Sequence, residues 1–89
     1  MKIKKNYVLQ QIVDEYIVVP IAQEADRLNG VLKLNETGAY IWKILEKGTD
    51  SHDDIVEALC LEYNKERLIV QEDVDLFLKQ LEAFGCLEQ

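Results

Sequence analysis

Apolar positions along this chain repeat first with the period of a strand and then with the period of a helix. From Tyr7 to Ile21 the sequence YVLQQIVDEYIVVPI is rich in β-branched and aromatic residues and is interrupted by Asp14-Glu15. That pattern predicts two strands joined by a tight turn at the acidic pair. Pro20 lacks an amide hydrogen, so the second strand should end there or leave that edge unpaired. The polar stretch Gln23 to Gly30 closes with Asn29-Gly30, a turn-forming dipeptide. A short third strand follows, in which Leu32 and Leu34 share one face opposite Val31 and Lys33.

The helical period begins at once, with Asn35 as N-cap, Glu36 in the first turn and Gly48 as the stop. Gly38, Ile41, Trp42 and Leu45 fall at i, i+3, i+4 and i+7, one buried face. Ser51 followed by Asp54 resembles a capping box and opens a second helix with the stripe Ile55, Val56, Leu59, Cys60 and Tyr63. A third helix starts between Lys65 and Gln71 and ends near Phe84 before Gly85. Its stripe is Val70, Val74, Phe77, Leu78, Leu81 and Phe84. Strands followed by helices imply an α+β fold, a three-stranded antiparallel N-terminal sheet packed on a three-helix bundle. Ile69, Asp73, Leu76 and Gln80 form a second line on the third helix, displaced about 100° from the stripe. Its two apolar residues have two open uses, at the margin of the core or against a ligand.

The chain has 89 residues, enough for one small domain over residues 1–89 that buries roughly 60 to 65% of its unfolded surface. Apolar residues at 48% and charged residues at 30% exclude disordered and low-complexity classes. The longest apolar run, Tyr16 to Ala22, is far short of the ~20 residues that cross a bilayer, and no signal-peptide block is visible. The expectation is a cytoplasmic protein without a membrane partner.

Net charge is −7, and it is uneven. Residues 1–49 carry seven bases and six acids, residues 50–89 three bases and eleven acids. An acidic surface repels phosphate backbones. The second and third helices can be mistaken for a helix-turn-helix, so a winged-helix DNA-binding protein is the alternative to weigh. Against it, residues 51–64 contain four acids and no Lys or Arg, and residues 66–84 five acids and two bases. The basic cluster Lys2, Lys4, Lys5 reads as a solvated tail.

Catalytic chemistry is sparse. His52, the only histidine, reads as a solvated first-turn residue, and His52, Cys60 and Cys86 form no zinc spacing. Asp53-Asp54 and Glu72-Asp73 suit helix N-termini better than acid–base catalysis, and no Gly-rich phosphate loop is present. Cys60 belongs to a buried stripe, which leaves Cys86 as the more exposed thiol. No catalytic residue, metal or cofactor is expected.

Three segments carry a resemblance. They are Leu34-Asn35-Glu36-Thr37-Gly38-Ala39-Tyr40-Ile41-Trp42, then Ile55-Val56 with Leu59 and Tyr63, then Asp73-Val74-Asp75-Leu76-Phe77-Leu78 with Leu81 and Gly85. In this order and spacing, spanning residues 7 to 88, the chain resembles the PqqD family, whose founding member serves pyrroloquinoline quinone biosynthesis. The resemblance implies a winged-helix-like domain without enzymatic activity. It would recognise the leader of a ribosomally made precursor peptide and present it to a modifying enzyme, commonly a radical SAM protein, otherwise a lasso-peptide protease or another maturase. The implied mode is strand addition along the third strand, over the groove between that strand and the third helix. Carried onto this sequence, the peptide would meet Val31, Leu32, Lys33 and Leu34. The helix wall would be Ile69, Asp73, Leu76 and Gln80, with Val74 and Phe77 at the floor. Gly85-Cys86-Leu87 departs from the family's terminal Gly-Leu-Leu-like segment, and Asn64 to Val70 matches weakly. An exposed third-strand edge also admits a homodimer that competes with the leader.

Overall fold

Inward-facing apolar residues set the register of the N-terminal hairpin. In the computed structural model, which describes residues 1–21, 31–48 and 51–88, β2 (Tyr7–Ile12) pairs antiparallel with β3 (Glu15–Pro20). A two-residue strand, β1 (Lys2–Ile3), precedes them. Tyr7 opposes Pro20 and Leu9 opposes Val18, so these four residues face the core. That register places the turn at Val13-Asp14, one residue earlier than the acidic pair suggested. Opposing Leu9 to Val18 outweighs the local turn preference. It leaves Val13, 85% exposed, with a φ of 57°, an unfavourable region for a β-branched side chain.

β3 is central in the sheet, because β4 (Leu32–Leu34) pairs antiparallel along Tyr16–Val18. The expected turn at Asn29-Gly30 lies outside the described residues. Leu34 is buried and Leu32 half-buried on the inward face, while Lys33 points outward, 3.5 Å from Glu15.

Three helices cover the inward face. α1 (Glu36–Lys47) opens as its sequence predicts: Asn35 Oδ1 accepts the Gly38 amide at 2.7 Å. α2 (His52–Tyr63) opens with Ser51 Oγ accepting from Asp54 N at 3.2 Å, and ends at Asn64 in the left-handed conformation. α3 (Arg67–Phe84) follows a short turn and ends at Gly85, φ 90°. Trp42, Ile41 and Leu45 of α1 meet Ile55, Val56 and Leu59 of α2 and Val70, Val74 and Leu81 of α3 in one core with Val18 and Leu34. Each such side chain, fully buried, contributes about 1.5–3 kcal/mol. The Trp42 indole nitrogen has no hydrogen-bond partner among the described residues.

The architecture is α+β, as the pattern implied, with a clasp the pattern did not reveal. β1 pairs antiparallel with β5 (Leu87–Glu88), and the Lys4 amide donates to the Cys86 carbonyl at 2.9 Å. The lysine-rich start is therefore tied down by its backbone rather than a free tail, although Lys2, Lys4 and Lys5 remain exposed. The clasp also reverses the expectation for the cysteines. Cys86 is fully buried and donates its thiol to the Leu81 carbonyl at 3.6 Å, whereas Cys60 is half-buried. Burial pushes the Cys86 thiol up to about 11. His52 is likewise not simply solvated: it is half-buried, with Nε2 2.5 Å from Asp75 of α3, and so joins the start of α2 to α3. No described helix is long and apolar enough to cross a membrane.

Candidate functional site

Among the described residues, β4 pairs with another strand on one side only. It is the last strand in the order β2-β3-β4, and no described strand pairs with its other edge. Such an edge presents unpaired amides and carbonyls to any extended chain. Leu34 ends the strand and leads directly into Asn35, so the edge runs into the start of α1.

Beside that junction lies an open groove of about 280 Å³ between α1 and α3. One wall is α1, through Asn35, Thr37, Gly38 and Ile41. The other is α3, through Asp73, Leu76, Phe77 and Gln80, and Lys65 from the preceding turn closes one side. The two helices come close because position 38 is glycine. A Cβ there would lie 3.0 Å from Phe77 Cε1, 3.2 Å from Asn35 Oδ1 and 3.4 Å from Leu34 Cβ. Distances this short require a neighbour to move, so the missing side chain keeps the groove open beside Phe77. Leu76 is 67% exposed on its wall, a large apolar side chain that the core does not use.

A smaller recess adjoins the groove and shares Thr37, Lys65 and Asp73 with it. Tyr63 lines this recess, stacked edge-on against Tyr40 with ring centroids 5.7 Å apart. Its partial burial, and then the charges of Glu36 and Glu62, push its phenol above the ordinary value. Lys65 Nζ lies 6.0 Å from the centre of the same ring.

Of the residues singled out from sequence, Asp73, Leu76, Phe77 and Gln80 converge on the groove. Ile69 is half exposed, one turn before Asp73, and does not line it. Val74 is wholly buried in the core, and Phe77 alone of the two expected floor residues reaches the groove. Leu32, Lys33 and Leu34 form the strand; Val31, half exposed, immediately precedes it. The α1 wall is not legible in the sequence, where Asn35 reads as a cap and Gly38 and Ile41 as core, and each does fill that structural role. The signal that points to them is a glycine inside a helical pattern, which often marks a close approach.

The site offers a pairing edge, an apolar floor at Phe77 and two opposite charges, Lys65 and Asp73. Among the described residues no three His, Cys, Asp or Glu side chains are grouped to hold a metal ion, and His52 does not line the groove.

Residues 15–87 match the model of the family described as Coenzyme PQQ synthesis protein D (PqqD). Two solved structures share the fold. TbiB1, determined in complex with the TbiA(beta) leader peptide, is 33% identical, with a TM-score of 0.78 over 99% of this chain and 95% of that one. A lasso peptide synthetase B1 complexed with the leader peptide is 20% identical, with a TM-score of 0.76 over 99% and 96%. Among proteins of curated function, none matches.

Proposed function

Since this chain belongs to the PqqD family, we propose that it binds the leader segment of a ribosomally synthesised precursor peptide by strand addition and presents the peptide to a modifying enzyme. The protein itself is a non-catalytic chaperone; the chemistry belongs to its partner, a radical SAM protein or another maturase. The observation that carries the reading is the continuity of the free β4 edge with the groove between α1 and α3, in a chain one-third identical over nearly its whole length to a leader-bound TbiB1.

Each part of the site then has a task. Main-chain hydrogen bonds to Leu32–Leu34 give affinity with little demand on leader sequence. Alternate leader side chains turn toward the helices, and those reaching past Leu34 enter the groove over Phe77 and against Leu76. Lys65 and Asp73 select for charges of opposite sign on the leader. Val31 and Ile69 extend the surface at its ends, and Val74 supports α3 from beneath.

An amide-proton titration with leader peptides encoded by short open reading frames beside the gene tests this. Shifts should concentrate on residues 31–34, 35–41 and 65–80. Leu76→Lys should weaken binding at least tenfold, about 1.4 kcal/mol, with the rest of the spectrum unchanged. Equal affinity in that variant would remove Leu76 from the site, and shifts that spare β4 would reject strand addition. A homodimer through β4 predicts that leader peptide dissociates it, which the same samples report by sedimentation.

A further inference from the structure

The sheet has a second open edge, and it differs in kind from the first. β4 spans three residues with Lys33 at its middle, short and charged as exposed edges usually are. β2 spans six residues, Tyr-Val-Leu-Gln-Gln-Ile, with no charge and no proline, and its six pairs with β3 run without a bulge. No described strand pairs with its outer edge. The outward face beside that edge is apolar around Val8 and Val19 and carries Glu15, paired with Lys33, opposite Ile12. Val8 and Ile12 of β2 are exposed there, next to half-buried Ile17 and Val19 of β3. A long, uncharged, unbulged edge lacks the devices that keep strands from pairing with other chains.

From this we infer that the outer edge of β2 is a homodimer interface, at which two copies pair antiparallel and join their sheets into one of six strands. The absence of charge on β2 admits a second copy as the occupant. In a chain of net charge −7, with the acids concentrated in residues 50–89, two copies repel over their helical faces. β2 carries no charge to repel its own image. The register supports the same occupant: with the two-fold axis at Gln10, Val8 of one copy opposes Ile12 of the other, and Gln10 opposes its own mate. Both exposed apolar residues then gain a cross-strand partner, and the amide side chains of Gln10 can hydrogen-bond to each other. One strand pair buries less than the roughly 1,200 Å² of a stable complex, so the dimer is weak and exchanges with monomer. The β4 edge stays open in each copy, and dimerisation and leader binding are independent.

Sedimentation equilibrium from micromolar to NMR concentrations should show a reversible monomer–dimer transition, which Val8→Lys abolishes while leaving leader affinity unchanged. Opposed Cα atoms in an antiparallel pair lie about 4.5–5.5 Å apart, within disulfide range. Gln10→Cys in a Cys60→Ser background should therefore oxidise to a dimer, and Val8→Cys in the same background, far from its own mate, should not. A chain that stays monomeric throughout overturns the inference. So does a dimer that survives Val8→Lys, or one that saturating leader peptide dissolves, since that result moves the contact to β4.

Discussion

Gly38 shows how one residue can serve the fold and the site together. Its amide is held by Asn35, and its missing side chain lets Phe77 of α3 approach α1 to within van der Waals distance. Gly38→Ala should therefore act in two ways: overpacking that costs about 1–3 kcal/mol, partly offset by alanine's higher helix propensity, and a narrower groove. Denaturant midpoints at unchanged m-value would read the first effect, and leader titration of the folded variant the second. Loss of stability with unchanged leader affinity would make the close approach purely structural. Cys86 makes a different prediction. Its thiol ionises near 9 in an unfolded chain and about 11 in the fold. Between those values the unfolded chain has released a proton that the folded one keeps, so stability falls as pH rises through this window, by at most ~1.4 kcal/mol per unit. Below pH 9 the thiol is neutral in both states and contributes no slope. Tyr63, also raised, adds to the alkaline loss. The Cys86→Ala variant keeps Tyr63, so the wild-type curve should fall more steeply than the variant's above pH 9.

At the level of elements, α3 carries a core face and a groove face along a single helix. Val74 is wholly buried and Leu76, two residues on, is two-thirds exposed. Val74→Ala should cost about 1–3 kcal/mol through the cavity it leaves, and Leu76→Lys less than about 0.5 kcal/mol. Thermal midpoints of the two variants check the split, and a large loss at Leu76 would return it to the core. The same helix shows why sequence reads some boundaries and not others. α1 and α2 open on Asn35 and Ser51, whose side chains accept backbone amides, and both starts were legible. α3 opens after Glu66, which makes no side-chain cap and is followed by Arg67, so nothing marked its first turn. In the hairpin the turn was displaced because pairing across the sheet decided it, and pairing is not a local signal. β1 and β5, two residues each, are too short to show any period. The groove divides likewise. Its α3 wall was legible because Leu76 had no core role, whereas its α1 wall was hidden because Asn35, Gly38 and Ile41 each satisfy a structural explanation.

Across the whole molecule, charge and chain closure set what the domain can meet. α2 and α3 carry the acidic excess, while Lys2, Lys4 and Lys5 beside β1 and Lys43 and Lys47 on α1 supply bases at the other end of the sequence. Duplex DNA should not be retained even at low salt, because a helix pair this acidic cannot release counterions from phosphates; salt-sensitive retention would revive the DNA-binding alternative. Chain closure is the more particular feature. The pairing of Ile3 with Leu87 and of the Lys4 amide with the Cys86 carbonyl joins the two ends of the chain over a buried thiol. If this clasp holds Cys86 out of solvent, opening it should expose the thiol before the domain unfolds. Ile3→Asp puts a charge where a half-buried side chain packs against the core. In that variant a thiol reagent should label Cys86 at least tenfold faster than in the wild type, with Cys60 unchanged as the internal reference. No residue of β1 or β5 lines the groove between α1 and α3, so affinity for leader peptide should persist. Faster labelling at both cysteines would instead mean that β1 stabilises the entire fold, and that the clasp does not open on its own.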